Sequence, residues 1–301
     1  MKAVRIHAFG GPEVLQLEEV PRPMPAPGEV LVKVYASGVN PLDWKIRKGL
    51  RAKKYPTDFP LTLGWDMSGV VEEVGSGVHQ WRPGDEVYGR PDPTRNGTYA
   101  EYVAVKADQI GLKPKTIDHV HAAAVPLAGM TAWQGLFDHG HLERGQTVLI
   151  QAASGGVGIY AVQFARWVGA RVYGTTSTPK IDFVQGLGAD VVIDYTKQRF
   201  EDVVHDADLV LDTLGGDTQK RSLSVIRKGG RIVTTLAPED QAVEAFTTLA
   251  NTEQLETIAR LIDEGKVHPV IARVFPLEQA AAAQELSETG HVQGKIVLQI
   301  V

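Results

Sequence analysis

The 301-residue sequence contains no cysteine. A disulfide framework is excluded, and so is every metal site built on thiolates. Positive charge is also scarce. The 31 Lys and Arg stand against 36 Asp and Glu, giving a formal net charge of −5 and a pI near 6.0. Phosphate contacts need a basic surface, so nucleic acid is not expected as a main partner. No run of about 18 apolar residues occurs, so no transmembrane helix is expected. The opening MKAVRIHAFGG lacks an apolar core of signal-peptide length, and the expectation is a soluble cytoplasmic protein with no membrane partner. Hydrophobic residues at 43% and charged residues at 22% are ordinary globular proportions. The length suits one large domain or two ordinary ones.

The chain changes character near residue 120. Before it, short alternating stretches such as EVLVKVY (29–35), GVVEEV (69–74) and YAEYVAV (99–105) are broken by Pro and Gly. That pattern predicts a β-rich, barrel-like domain. After it, short Val/Ile/Leu runs alternate with helical periodicity: strand 147–151, helix 158–168, strand 171–175, helix 179–187, then strands 191–194, 209–212 and 231–235. Continuous apolar strands between helices predict a parallel sheet covered on both faces, doubly wound by right-handed crossovers. Residues 242–249 read as a sixth strand at the sheet edge, where pairing with a second copy predicts a homodimer. A helix at 251–264, a strand at 270–275, a helix at 277–287 and a final strand at 295–300 read as a return to the first domain. The expected organisation is a catalytic domain at 1–121, a nucleotide domain at 122–266 and the return at 267–301, with the active site between the domains.

The strand at 147–151 runs directly into AASGGVG (152–158) and then into a helix. A dinucleotide fingerprint needs small residues at a tight turn, at the pyrophosphate approach and at the helix–strand contact. Ala153, Gly155 and Gly158 take those places. The Ala requires a turn without positive φ at that position. The helix N-terminus then offers N–H groups and the positive end of its dipole to the pyrophosphate. An NAD site puts an acid about 20 residues beyond the fingerprint start to hold the ribose 2′-OH. Here the second strand ends in Thr175, Thr176, Ser177 and Thr178, with Lys180 following and no acid at the strand end. Hydroxyl donors and a point charge suit a 2′-phosphate, so the predicted cofactor is NADPH. Tyr195, at the end of the next strand, is placed beside that phosphate or the adenine.

These residues carry a wider likeness. The stretches ASGVNP (36–41), LGWDMSGVV (63–71), GSGV (75–78), PGDEV (83–87), AGMTA (128–132), AASGGVG (152–158) and GHVQGK (290–295) resemble, in this order, the medium-chain dehydrogenase/reductase superfamily. Within it the chain is similar to the zinc-free quinone oxidoreductases, the zeta-crystallin-like group. The resemblance implies an α/β fold: a GroES-like β-rich catalytic domain plus a Rossmann domain with a doubly wound parallel sheet. The positions that hold catalytic zinc in the alcohol dehydrogenases of this superfamily here carry Asn40, Trp65 and Leu127, none of them a normal zinc ligand. His119, His121, His139 and His141 lie close in sequence, but a metal role for them is not expected.

Without zinc, an alcohol has no Lewis acid to lower its pKa. The resemblance implies NADPH-dependent hydride transfer to a quinone, with an alkenal or enone C=C bond as the alternative acceptor. Catalysis then rests on proximity and orientation, and no Ser/His/Asp set is found. A reading of another class is an NADPH-binding structural or sensing protein with negligible turnover. The catalytic candidates are Asn40, Asp43, Trp44 and Tyr55. Asn40 either bonds the nicotinamide ribose or substrate carbonyl, or is a turn residue before Pro41. Trp44 either walls a flat acceptor or packs in a core. Tyr55 is the candidate proton donor. Asp66 is expected to hold a backbone group or Lys45. The resemblance carries Thr131 to the nicotinamide half and Ser154, Gly156 and Val157 to the pyrophosphate. Leu214, Leu236 and Ala237 sit at the carboxyl edge of the sheet, where ligands bind. Lys295 either approaches the cofactor or is a solvated lysine at the start of the last strand.

Overall fold

A computed structural model describes residues 1–56 and 58–301. The chain separates into two compact units. The first contains Met1–Leu127, Ala250–Gly265 and Pro269–Val301, and the second contains Ala128–Leu249 and Lys266–His268. These limits differ from the expected 1–121, 122–266 and 267–301. The helix Thr252–Asp263 carries the difference, because it packs on the strand Ile110–Leu112 of the first unit. The Tyr88 hydroxyl donates to the Leu255 carbonyl at 2.5 Å, and Asp263 accepts the Thr116 N–H at 2.9 Å.

The first unit is built on the strand Glu29–Val39, which pairs with Met67–Val74, Tyr102–Lys106 and Lys295–Gln299. The sheet continues through Glu86–Gly89 to Ile110–Leu112, and through Lys295–Gln299 to Ile271–Pro276. The last of these pairings is parallel and the others are antiparallel. Val30, Val32 and Val34 point to one side, as a period of two requires, and pack with Met67, Val71, Val87, Val103 and Val105. The predicted strand at 99–105 starts later, at Tyr102. Tyr99 instead spends its backbone on Leu63 and Val4, and Ala100 bridges Ala3. This ties the small sheet of Lys2–Ile6, Gln16–Glu19 and Leu61–Thr62 to the unit. After Val39 the chain turns into the helix Pro41–Arg47, with Pro41 at its first position and Asn40 extended at its N-cap.

The second unit is a parallel sheet in the order Val191–Asp194, Arg171–Thr176, Thr147–Ile150, Ala207–Asp212, Ile226–Thr234 and Val243–Ala245. The strand order reverses direction at Thr147–Ile150, which makes its carboxyl end the switch point where ligands of such sheets bind. The helix Gly158–Val168 covers it and ends at Gly169, whose φ of 87° is left-handed. The predicted helix at 179–187 opens as a 3-10 turn, Thr178–Lys180, before Ile181–Gly186, because Pro179 lacks an N–H. The predicted strand at 242–249 is only Val243–Ala245. Beyond it the Gln134 side chain holds both polar groups of Leu249, donating to its carbonyl at 2.8 Å and accepting its N–H at 3.0 Å. Residue 249 therefore bonds to a side chain where a strand would bond to its neighbour.

Gly69 marks the tightest approach inside the first sheet. A Cβ there would lie 2.1 Å from the Lys33 carbonyl oxygen on the neighbouring strand. Gly69→Ala is expected to cost roughly 1–3 kcal/mol by overpacking. In urea unfolding this reads as a lower midpoint at unchanged m-value.

Candidate functional site

The glycine turn begins one residue before its fingerprint. Ala152 has a φ of +54°, an uncommon left-handed conformation for a residue with a Cβ, whereas Ala153 does not share it. The turn is held from the next strand. The Ala152 N–H donates to the Thr175 hydroxyl at 3.1 Å, the Ala153 N–H to the Thr175 carbonyl at 2.9 Å, and the Thr175 hydroxyl to Gln151 at 2.8 Å. Gly158 permits the close helix–strand contact, since a Cβ there would meet the Ala152 oxygen at 2.3 Å. Gly174 plays the same part on the second strand, where a Cβ would lie 2.8 Å from that of Ala153. Gly155 is different. A Cβ there would meet only the Ala152 oxygen, at 3.3 Å. Its backbone is thus open to an approaching group, beside the helix start whose first N–H groups lack intrahelical partners. The residues present fit a dinucleotide pyrophosphate.

The end of the second strand divides into inner and outer residues. Thr176 was expected at the 2′-phosphate, but it is buried and its hydroxyl donates to Ser154 at 3.0 Å. It braces the turn because its side chain points inward on an alternating strand. Ser177 and Lys180 are partly exposed and Tyr195 is exposed. Burial pushes the Lys180 ammonium below its usual value. An acid does stand nearby, on the adjacent strand end. Asp194 lies opposite Thr176 in the parallel register. Its carboxylate accepts the hydroxyls of Thr178 and Thr196 at 2.5 and 2.6 Å, and the Thr196 N–H at 3.0 Å. The Thr178 hydroxyl first, then Thr196, hold its pKa down to about 2.

At the carboxyl edge, Leu214 is exposed, Leu236 half-buried and Ala237 exposed. Both loops are fixed by Asp212, which sequence reasoning passed over. Its buried carboxylate accepts the N–H groups of Leu214 and Gly215, the Gln219 amide at 2.8 Å and the Thr234 hydroxyl at 3.1 Å. An Asp ending an apolar strand was the available signal. Thr131 is buried, with its hydroxyl 2.7 Å from that of Thr248.

In the first unit, Asn40, Asp66 and Lys295 form one buried cluster. The Asn40 amide donates to Asp66 Oδ2 at 2.8 Å, and the Lys295 ammonium donates to Asn40 Oδ1 at 2.5 Å. Lys295 also reaches Asp66 Oδ2 and the Val39 carbonyl, each at 3.3 Å. Asp66 Oδ1 accepts the Leu127 N–H at 2.6 Å. Lys295 is therefore neither solvated nor free to move, and Asp66 holds a backbone group and Lys295 rather than Lys45. Burial pushes the Asp66 carboxyl up, opposed by the Lys295 ammonium. Trp65 and Leu127 are the two other residues that the resemblance places where the alcohol dehydrogenases hold zinc. Trp65 is fully buried, with its indole N–H unpaired.

Asp43 was expected to face substrate. It is fully buried behind Asn40, accepting the Asn40 N–H and the Tyr99 hydroxyl, each at 2.7 Å. Three residues after an N-cap is the place from which a side chain reaches back to that N–H. Trp44 is half-buried, with the ammonium groups of Lys45 and Lys48 over its ring at 5.3 and 5.4 Å and its indole N–H unpaired. Tyr55 packs half-buried on the cluster around Trp65.

The histidines serve separate partners. His121 pairs with Asp118, His139 with Glu244, and His141 lies 3.2 Å from the Phe137 carbonyl. His119 stacks on Tyr35 and contacts Ser68 at 2.8 Å and Glu86 at 3.5 Å. This is a Ser/His/Glu chain in outline, but Ser68 is fully buried and donates to the Val87 carbonyl at 3.2 Å. It has no access as a nucleophile. Among the described residues, no three His, Cys, Asp or Glu side chains converge to hold a metal.

Comparison with known proteins matches the alcohol dehydrogenase GroES-like domain over residues 26–115 and the zinc-binding dehydrogenase domain over residues 187–298. The NADPH-dependent alkenal/one oxidoreductase of Arabidopsis thaliana is 37% identical, over 99% of this chain and 79% of its own. The quinone oxidoreductase of Sus scrofa is 33% identical, over 99% of this chain and 97% of its own. Among solved structures, the quinone oxidoreductase from Coxiella burnetii superposes with a TM-score of 0.93 at 36% identity, covering 100% of this chain and 99% of its own. The Escherichia coli quinone oxidoreductase complexed with NADPH gives a TM-score of 0.90 at 29% identity, covering 99% and 100%.

The buried Asp43 generates a pH dependence. Desolvation raises its pKa from 3.8 to about 7, so the folded state holds a proton that the unfolded state releases. Its stabilising contribution is full below 3.8 and is lost as pH rises through about 7. Asp43→Asn keeps an oxygen acceptor and does not titrate. Thermal unfolding followed across that window is expected to fall less steeply in the variant than in the wild type.

Proposed function

We propose that this chain, which belongs to the quinone oxidoreductase group of the medium-chain dehydrogenase/reductase superfamily, reduces a quinone with NADPH and without zinc. The observation that carries the zinc-free reading is the Asn40–Asp66–Lys295 cluster. Asn40, Trp65 and Leu127 offer no thiolate, imidazole or carboxylate, and the nearest carboxylate is already compensated by an ammonium.

Bound NADPH supplies the hydride. The chain supplies position. Ser154, Gly155, Gly156, Val157 and Gly158 hold the pyrophosphate against the helix start. Ser177, Lys180 and Tyr195 surround the 2′-phosphate, with Thr176 bracing the turn and Asp194 kept engaged by threonine hydroxyls. Thr131, Leu214, Leu236 and Ala237 border the rest of the cofactor. Asn40, held rigid on both polar atoms, orients the reacting face, while Trp44 and Tyr55 border the acceptor. Orientation of this kind is a sufficient source of rate for a reaction that needs no activated nucleophile.

The name of the Arabidopsis relative favours a second reading, reduction of an alkenal or enone C=C bond. The proposal includes a cytoplasmic location. Among the described residues, no helix is long and apolar enough to cross a membrane. It also includes a homodimer through the edge of the parallel sheet, where Val243–Ala245 is bonded on one side only and Leu249 is 67% exposed.

Steady-state oxidation of NADPH is expected with a quinone at a higher kcat/KM than with a 2-alkenal. The reverse order selects the second reading. Tight NADPH binding with neither turnover leaves a structural or sensing role, and one zinc per chain by metal analysis contradicts the zinc-free mechanism. Lys180→Ala is expected to weaken NADPH roughly tenfold, about 1.4 kcal/mol, with NADH unchanged in the same fluorescence titration. Sedimentation at micromolar concentration is expected to give a dimer.

A further inference from the structure

The helix Pro41–Arg47 opens into a basic turn. Residues 45–54 carry six Lys and Arg, and no acid stands between Asp43 and Asp58, in a chain whose net charge is −5. The stretch folds back on itself. The Leu50 N–H donates to the Lys45 carbonyl at 2.9 Å, and the N–H groups of Lys54 and Tyr55 both donate to the Arg51 carbonyl, at 2.9 and 2.8 Å. Its charge is compensated only in part. Arg47 is buried and committed to Gln284 and Glu288, and Lys48 shares Glu288. Among the described residues, no acid lies within ion-pair distance of Lys45, Arg51 or Lys53.

Bulky apolar side chains stand among these charges. Leu50 is 64% exposed, Phe9 40% and Phe59 39%. They belong to one patch. The rings of Phe9 and Phe59 meet edge to face with centroids 5.0 Å apart, and a Cβ on Gly49 would lie 3.1 Å from the Phe9 ring. Gly49 has a left-handed φ of 73°, so the turn that presents Leu50 rests on that ring.

The two properties together select the partner. Nucleic acid would compensate the cations and leave Phe9, Leu50 and Phe59 in water. A neutral apolar partner would cover those three and strip water from Lys45, Arg51 and Lys53 without pairing them. The interface of an anionic bilayer meets both needs. Apolar side chains enter the acyl boundary there, while the long basic side chains reach back to the lipid phosphates. We propose that this turn, with Phe9 and Phe59, docks the first unit on an anionic lipid surface. The contact is peripheral. The expectation of no membrane partner rested on the lack of a spanning run, which such a contact does not need. It stands apart from the reaction proposed above, since no residue of the contact takes part in hydride transfer.

Cosedimentation of the full chain with lipid vesicles tests the assignment. Binding is expected to vesicles of phosphatidylcholine mixed with phosphatidylglycerol and not to phosphatidylcholine alone, and added salt is expected to weaken it. Lys53→Gln is expected to weaken binding about fivefold, the effect of one cation at such a surface. Leu50→Ser is expected to weaken it roughly fivefold as well, with the salt dependence unchanged, because apolar burial is not screened. Lys266→Gln, at an exposed position in the second unit, leaves binding as it was. Lys53 and Leu50 are both exposed, so the thermal midpoint of each variant is expected to match the wild type. Should Leu50→Ser lower that midpoint, the comparison of Lys53→Gln with Lys266→Gln decides alone. Equal binding to both kinds of vesicle overturns the proposal, as does no binding to the anionic ones. Equal weakening by Lys53→Gln and Lys266→Gln also overturns it. So does capture by polyglutamate that Leu50→Ser leaves unchanged, which assigns the turn to an acidic protein partner.

Discussion

The Lys295 ammonium bound between Asn40 and Asp66 is the constraint on which the first unit depends. It joins the start of the last strand to the end of the central strand and to the entry of Met67–Val74. Each group is buried, so each is costly without the others. Asn40 gives its amide to Asp66 and its oxygen to Lys295, which leaves its backbone N–H for Asp43. The helix Pro41–Arg47 is launched from that fixed point, and with it the placement of Trp44. A metal would organise such a corner through its ligands. Here an ammonium and an amide organise it through hydrogen bonds.

The second unit is organised by contacts between neighbouring strand ends. Thr175 and Thr176 stitch the second strand to the glycine turn, Asp194 fastens the third strand end to Thr178, and Asp212 ties the fourth and fifth strand ends together. Each is a polar side chain turned inward at the carboxyl edge of a parallel sheet. The loops that border a ligand there are consequently set before any ligand arrives, which limits the ordering cost of binding.

Polar residues were harder to place than apolar ones. The helix Gly158–Val168 and the strand Val191–Asp194 follow from apolar spacing, which is a local property. Gly158 was legible because only a residue without a side chain fits that contact. Thr176, by contrast, looked like a phosphate donor from its place at the strand end, and the pleat turned it toward Ser154. Asp43 was a catalytic candidate one turn after Asn40, and helix capping drew it inward. The edge strand was read too long because Gln134, 115 residues away, takes the backbone of Leu249.

The sequence by itself determined the two-part architecture and the glycine-rich turn, because each is carried by residue type and local spacing, and its lack of cysteine excluded thiolate metal sites. Only the tertiary structure decided which polar groups are already satisfied. Lys295 and Asn40 are 255 residues apart, and no local pattern reports that one saturates the other. The same holds for Arg90, unremarkable in the sequence and distinguished by a burial that leaves its Nε without a hydrogen-bond acceptor among the described residues. Hydrogen-bond saturation depends on partners brought together from distant segments, so it exists only once the chain has folded.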